Sequence, residues 1–310
     1  MTIGELQQEF LTSEDPRIAP EDFFILLAHS LGQDKTFVIA HPEYILDTPS
    51  ASLARTLLER RVANEPIALI TGRKAFYGRD FFVTQDTLIP RPETELLVEL
   101  ALNAISHHKK ESENIIHIVD IGTGSGNIII SIVADLIQSH SKLSDVNSAF
   151  LFSAVDISKS AITVAKKNAE QHNVSNKITF HTGDLLQPVK KTLPTTNRVI
   201  IIANLPYLSR ALYANTSKDV RLFEPQNALV SGETGLDHYV RLLQEITHFS
   251  PRINTFTLFL EISPEQNAPL HAIASHLLPD ALLRTHHDLA NKARVLEIHR
   301  NPHDTIKPIQ

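Results

Sequence analysis

The sequence predicts an α/β chain: a mostly parallel sheet covered by helices on both faces, preceded by a small helical bundle and a β-hairpin. Three observations predict it. From Arg91 onward, short runs of branched apolar residues alternate with helical patterns, the signature of a parallel sheet. The first such strand runs into Gly122-Thr123-Gly124-Ser125-Gly126 and then an apolar helix, a strand-turn-helix unit. Residues 1–72, by contrast, carry helix start and stop signals.

In that first block, Pro20-Glu21-Asp22 gives a proline and two acids to a first turn, Phe23 to Leu31 supplies an apolar face, and Gly32 suits the end. Thr48-Pro49 opens a further helix through Arg61. Between Phe76 and Ile89 the pattern turns aromatic and β-branched, with Gly78 and Asp80 at a turn, which reads as a short β-hairpin. The division is therefore 1–72 helical, 73–90 hairpin linker and 91–310 α/β domain. Within the last, strands are expected at 115–121, 149–155, 177–181, 198–203, 255–262 and 294–299, with a helix from Ile128 to Ile137. The polar stretch Gln138 to Ser148 reads as a surface insertion. A ligand belongs at the strands' carboxyl ends.

A chain of 310 residues without cysteine is long enough for one large core plus a smaller domain and needs no disulfides, which fits a reducing, cytoplasmic compartment. It has no charged start followed by an apolar signal core and no apolar run of membrane-spanning length. Its formal charge of -6 supplies no basic stripe of the kind that neutralises a nucleic-acid backbone.

The glycine loop narrows the ligand. Missing Cβ atoms let a ligand approach the backbone, and the N–H groups at a helix start favour a carboxylate or phosphate. Dinucleotide sites read G-x-G-x-x-G, whereas Gly122 to Gly126 is the compact G-x-G-x-G associated with S-adenosylmethionine. Asp156 follows the next strand, where an acid accepts both ribose hydroxyls of an adenosyl group, and Asp184 follows the strand after that, where it meets the adenine edge.

A second motif narrows the reaction. Val199 to Ile202 ends in Ala203-Asn204-Leu205-Pro206-Tyr207. The Asn204 amide and the Leu205 carbonyl can each accept one N–H of an incoming NH2 group while the Tyr207 ring covers its plane. The competing reading is a plain turn after a strand.

These residues resemble the protein-(glutamine-N5) methyltransferases that modify release factors, the PrmC/HemK family. The similarity runs through Leu26-Leu27-Ala28-His29, Glu65-Pro66-Ile67-Ala68, Ile70-Thr71-Gly72 and Phe76-Tyr77-Gly78 to Leu88-Ile89-Pro90-Arg91-Pro92-Glu93-Thr94-Glu95, the most selective stretch. It continues in the glycine loop, Asp156-Ile157-Ser158, Gly183-Asp184-Leu185-Leu186, Glu224-Pro225, Gly235-Leu236 and Glu261-Ile262. The resemblance implies a Rossmann-like class I methyltransferase domain with a seven-stranded sheet, S-adenosylmethionine as cofactor, and the glutamine of the Gly-Gly-Gln motif in class-1 release factors as substrate. It implies that Gly122, Thr123, Gly124, Ser125 and Gly126 hold the cofactor's methionine end, Asp156 the ribose, and Asp184 with Leu185 the adenine. Asn204, Leu205, Pro206 and Tyr207 would receive the glutamine amide, with Asn204, Pro206 and Tyr207 as the catalytic set and Asn204 reaching the cofactor's methyl end. The helical domain would grip the release factor, as a monomer with no stable nucleic-acid binding.

Two departures keep other readings open. The family's Asn-Pro-Pro-Tyr has Leu205 at its second position here, and Asn-Leu-Pro-Tyr is the form seen in ribosomal RNA adenine-N6 dimethyltransferases. An adenine-N6 methyltransferase is therefore the rival, against which the acidic balance and Pro90 to Glu95 weigh. Ser263-Pro264 stands where the family has glycine, so an inactive cofactor-binding scaffold is the third reading. Pro264 can equally start a helix, and Asn291, where glycine is common, tolerates the left-handed conformation. The pairs His107-His108 and His286-His287 are adjacent and do not share a helix face, so no metal is assigned.

Overall fold

The computed structural model describes residues 1–11, 18–109, 115–139, 149–191, 193, 198–249 and 255–301. They fall into two compact units, Met1–Arg73 with Thr216–Glu224, and Lys74–Asn215 with Pro225–Gln310.

The first unit is helical: α1 (Ile3–Leu11), α2 (Pro20–Leu31), α3 (Lys35–Ala40), α4 (Thr48–Val62) and α5 (Ile67–Thr71). Local chemistry sets the ends. The Asp34 and Asp47 carboxylates accept from the Phe37 and Ser50 N–H groups at 2.7 and 2.8 Å, capping α3 and α4. Gly32 closes α2 at a φ of 62°, in the left-handed region. The buried stripe of α2, Phe23, Leu26 and Leu27, packs in one core with Ile3, Leu6 and Leu58. Thr216–Glu224, with its short helix Lys218–Phe223, joins this unit from far along the chain, which a reading of the first 72 residues does not anticipate.

The second unit opens with a hairpin, β1 (Arg73–Phe76) and β2 (Arg79–Phe82). It lies earlier than the expected Phe76-to-Ile89 span. Tyr77 and Gly78, with φ of 49° and 69°, make the two-residue turn, so both strands fit on either side and the chain beyond Phe82 is free for other work. Asp80 lies in β2 instead of the turn.

There follow α6 (Glu95–Lys109), β3 (Ile116–Ile121), α7 (Asn127–Ser139), β4 (Phe150–Asp156), α8 (Lys159–Gln171), β5 (Ile178–Thr182) and β6 (Arg198–Ala203). The chain continues through α9 (Asp237–Phe249), β7 (Phe256–Glu261), α10 (Asn267–Leu277), β8 (Leu282–His287) and β9 (Ala293–Arg300). Seven strands form one sheet in the order β5-β4-β3-β6-β7-β9-β8, parallel except that β9 runs against β7 and β8 against β9. The insertion read at Gln138 to Ser148 lies, from residue 140 on, outside the described residues.

Strand β8 escaped the sequence reading because it is an edge strand. Its alternation is half-buried at best and includes Arg284, His286 and His287, so no apolar run marks it. The central strand β6 is the opposite case. Val199, Ile201 and Ala203 face one core with α9 and α10, while Ile200 and Ile202 face another with α6 and α7. A strand buried on both faces reads as a continuous apolar run. Each such isoleucine contributes about 1.5–3 kcal/mol by leaving water.

Register decides where the chemistry goes. Ile121 of β3 pairs with Val155 of β4 and with Ala203 of β6, and Ala203 pairs with Leu260 of β7. The residues that follow, Gly122, Asp156, Asn204 and Glu261, therefore stand at one height on the sheet's carboxyl edge.

Candidate active site

At that edge lies a cleft of about 1060 Å³, counted out to its open mouth. Gly122 to Ser125, Asp156, Asp184, Leu185, Asn204, Leu205 and Pro206 all line it. Gly126 and Tyr207 do not.

The glycines do different things. A Cβ on Gly122 would come within 2.9 Å of Leu205 Cδ2, and one on Gly126 within 2.8 Å of Ile130 Cδ1 and 3.1 Å of Ala165 Cβ. Those two let chain pack on chain. Gly124, at a φ of 54°, would meet nothing nearer than the Gly122 carbonyl at 4.0 Å, so its missing side chain leaves open cleft. The amides of Gly122, Thr123, Gly124 and Gly126 are spent inside the protein. Gly122 and Thr123 donate to the Val155 carbonyl at 2.8 and 3.0 Å, Gly126 to Thr123, and Gly124 to Asp156 Oδ2 at 2.9 Å. The loop is shaped by these bonds before anything binds.

Asp156 also accepts from the Ser158 N–H at 2.8 Å through Oδ1. Burial raises its pKa while both backbone bonds pull it down. Each carboxylate oxygen keeps a lone pair, which is what two ribose hydroxyls require. Asp184 is held by the Arg241 guanidinium from α9, a partner its motif does not disclose. Leu185 is buried at a φ of 44°, strain for a branched side chain, and the next N–H, of Leu186, is fixed by Glu245 at 2.9 Å. An open cradle at Gly124, a ribose-type acceptor at Asp156 and a strained wall at Leu185 fit an adenosyl ligand carrying an amino acid end.

At the other end of the cleft the Asn204 Nδ2 donates to the Thr94 hydroxyl at 3.1 Å. The Leu205 carbonyl receives the Tyr239 hydroxyl at 3.4 Å, although that hydroxyl donates more closely to the Glu261 carbonyl. The Leu205 side chain is buried against Gly122, so this position serves packing as well as its carbonyl. Tyr207 turns its hydroxyl to Glu261 Oε1 at 3.5 Å, and burial beside that carboxylate pushes its pKa up. Its carbonyl is tied to Gln266 Nε2 at 2.9 Å.

Residues 7–72 match the PrmC N-terminal domain, and residues 112–231 match a methyltransferase domain. A release factor glutamine methyltransferase of Nitratidesulfovibrio vulgaris is 36% identical over 232 residues, 75% of this chain and 71% of that one. The chain belongs to the release factor glutamine methyltransferase family. The enzyme of that name from Bacillus subtilis is 31% identical over 281 residues, covering 89% and 91% of the two chains. Rhodopirellula baltica has one at 31% over 299 residues, covering 93% and 90%. Among solved structures, the hMettl16 catalytic domain in complex with MAT2A 3'UTR hairpin 1 superposes with a TM-score of 0.55 at 16% identity, over 85% of each chain. At that identity the likeness is one of fold.

This release factor glutamine methyltransferase is thus an S-adenosylmethionine-dependent enzyme, and the seven-stranded class I sheet expected of it is the sheet observed. Two side chains at its Asn204 end are not among the site residues assigned from the sequence, although the resemblance sets the turn that carries Thr94 over the cofactor's methionine end. Thr94 sits in the selective Pro90-to-Glu95 stretch and turns out to be 2% exposed. Glu261 is 3% exposed, its Oε2 has no partner of ordinary geometry, and burial lifts its pKa to about 7. An acid ending a mostly apolar strand was the available signal. The Ser263 N–H donates to Gln266 Oε1 at 3.1 Å across the Pro264–Gln266 turn, so the departure from glycine starts a helix. Asn291 takes a φ of 58°. Among the described residues, no group of three or more His, Cys, Asp or Glu is placed to hold a metal ion, and no helix is long and apolar enough to cross a membrane.

Proposed function

We propose that this methyltransferase modifies the N5 side-chain nitrogen of the glutamine in the Gly-Gly-Gln motif of class-1 release factors. The observation that supports it most is the alignment of Gly122, Asp156 and Asn204 at one level, with Asn204 lining the cleft and its Nδ2 donating to Thr94.

An amide nitrogen is a poor nucleophile, its lone pair delocalised into the carbonyl. S-adenosylmethionine, when bound, supplies an electrophilic methyl group. What the chain supplies is position. Asn204 Oδ1 and the Leu205 carbonyl accept the two N–H groups, fix the nitrogen's direction and stabilise positive charge growing on it. Pro206 holds the loop's φ, and Tyr207, anchored at both its carbonyl and its hydroxyl, bounds the amide's plane. No strong base is needed, because the proton leaves to water after transfer. Asp156 takes the ribose, Asp184 and Leu185 the adenine, and Gly122 to Gly126 the methionine end.

On this reading residues 1–72 recognise the release factor, 73–90 link, and 91–310 catalyse, in a cytoplasmic monomer that binds no nucleic acid stably. The test is peptide mass spectrometry of a purified class-1 release factor incubated with the enzyme and S-adenosylmethionine, beside a partner whose Gly-Gly-Gln glutamine is alanine. A methyl group on that glutamine alone is expected. Cofactor binding without modification would move the substrate to an adenine amine, to which Asn-Leu-Pro-Tyr also points, and ribosomal RNA would be tried next.

A further inference from the structure

We propose that His238 is a cofactor-binding residue, held by Ser231 as the Nε2-protonated imidazole and presenting that N–H to a ring nitrogen of the adenine. The inference rests on the reading of Asp184 and Leu185 as the adenine end of the cleft.

His238 stands in the first turn of α9, three residues before Arg241, so the two share a face of the helix. Arg241 holds Asp184, just past the end of β5, by an ion pair. That pair brings this face of α9 to the adenine end. His238, Arg241, Asp184 and Leu185 all line the cleft.

Ser231 decides where the imidazole carries its proton. Its Oγ lies 2.6 Å from His238 Nδ1 and accepts from the His238 backbone N–H at 3.0 Å. The serine is fully buried and does not line the cleft, so water does not compete for its proton. A buried hydroxyl needs an acceptor, and among the described residues the one it meets is Nδ1. Were Nδ1 protonated, both nitrogens would donate into Oγ and the hydroxyl proton would be orphaned. Nδ1 is therefore the acceptor, and the neutral ring has its proton on Nε2.

The serine is itself held in place. Its N–H donates to the Leu208 carbonyl at 2.9 Å, and the Leu208 N–H donates to the Leu229 carbonyl at 2.8 Å, so the chain just past Tyr207 clamps this segment. Gly232 follows at a φ of 68°, where a side chain would strike the Asp237 carboxyl, and the tight turn returns the chain onto the start of α9. Burial holds the His238 pKa below the usual histidine value; Arg241 adds to that, while Asp184 and Asp237 oppose it. The neutral ring is the form present from neutrality upward. Among the described residues Nε2 has no partner, which leaves its N–H for a ligand. The ring nitrogens on the edges of adenine only accept, so they match this tautomer and would meet the other one lone pair to lone pair.

The experiment is titration calorimetry of the wild type, His238→Phe, Ser231→Ala and Asp184→Asn with S-adenosylhomocysteine and three deaza analogues, in which carbon replaces N1, N3 or N7. His238→Phe keeps a ring and loses the donor, so its affinity for S-adenosylhomocysteine should fall roughly 3- to 10-fold. One deaza analogue should bind the wild type more weakly by a similar factor and lose nothing further in His238→Phe, because both changes remove one bond. In the unliganded wild type, NMR of the imidazole nitrogens should find the His238 proton on Nε2, its signals identified by their loss in His238→Phe. Ser231→Ala should lose that preference and bind more weakly.

Unchanged affinity in His238→Phe, losses that multiply with all three analogues, or a proton on Nδ1 in the unliganded protein would overturn the proposal. So would a His238→Phe effect confined to KM for the release factor, which would give the donor to the protein substrate. Should Ser231→Ala not fold, His238→Phe, at a half-buried position, decides. Asp184→Asn separates the proposal from the reading beneath it: weaker binding there with an unchanged His238→Phe strikes the proposal alone, and unchanged binding in both strikes the adenine assignment.

Discussion

Asn168 completes a strand to which it does not belong. Its Oδ1 accepts from the Phe82 N–H at 2.7 Å and its Nδ2 donates back to the Phe82 carbonyl at 2.9 Å, reproducing with one side chain the paired bonds of a β-ladder. The second Nδ2 proton goes to the Ser125 carbonyl at 2.8 Å. One fully buried amide from α8 thereby ties the edge of the hairpin to the glycine loop.

Replacing Asn168 with leucine should therefore cost stability and cofactor binding together. It leaves three backbone groups without partners, both of Phe82's half-buried and the Ser125 carbonyl buried, each costing about 1–3 kcal/mol where water cannot replace the bond, and places an apolar side chain among them. A fall in denaturation midpoint accompanied by weaker S-adenosylmethionine binding is expected in chemical unfolding and calorimetry. A stable variant with normal binding would show that the hairpin and loop hold without the clip.

The buried Asp120 predicts a pH effect on stability. Its Oδ2 accepts from the Thr123 hydroxyl at 2.7 Å, its Oδ1 has no partner, and burial raises its pKa to about 7 from 3.8. The folded chain thus holds a proton that the unfolded chain has released. Stability from this group is full below about pH 4, is lost as pH rises to about 7, and is constant above. His117, whose pKa burial lowers to about 4 from 6.5, has the opposite sign over that lower range. The useful quantity is therefore the difference between Asp120→Asn and the wild type. The variant's melting temperature should gain on the wild type between pH 5 and 7 and hold its advantage to pH 8. A difference flat with pH would mean Asp120 stays charged in the fold.

How much of this was legible depended on where the partners lie in the chain. Gly122 to Gly126 and Asn204 to Tyr207 are contiguous motifs at strand ends, so their residues and their common edge of the sheet could be read directly. The partners that hold them could not. Thr94 is 110 residues from Asn204, Phe82 is 86 from Asn168, and Glu261 is 54 from Tyr207. Only tertiary packing brings these into contact, and pattern along the chain does not give it. The capture of Asp184 by Arg241 and the spending of the loop's amides on Val155 are likewise tertiary facts. Edge strand β8 was lost for a different reason, the polarity of its exposed face.

Asn204→Ala should divide chemistry from binding. It deletes the amide acceptor while leaving the glycine loop, Asp156 and Asp184 untouched, so cofactor affinity should stay within a few fold. Misplacing a reacting nitrogen by about 1 Å can cost 100-fold, and loss of at least that much in kcat is expected. Titration calorimetry and single-turnover methylation measure the two separately. Equal loss in both would mean that Asn204 serves the cofactor more than the substrate.

Gly124→Ala and Gly126→Ala offer the sharpest separation, because the same methyl group meets different surroundings. Both positions have positive φ, 54° and 80°, so each alanine carries a backbone cost of about 1–2 kcal/mol. At Gly126 the new carbon also strikes Ile130 Cδ1 at 2.8 Å and Ala165 Cβ at 3.1 Å, forcing α7 and α8 apart. At Gly124 it projects toward open cleft. Gly126→Ala should therefore be the less stable protein, by about 1–3 kcal/mol beyond Gly124→Ala, as expected for overpacking. Gly124→Ala should melt closer to the wild type yet bind S-adenosylmethionine at least tenfold more weakly, since its methyl group fills ligand space. Melting curves with and without cofactor test both halves. If the Gly124 variant keeps the full thermal shift on cofactor addition, the methionine end does not lie over Gly124.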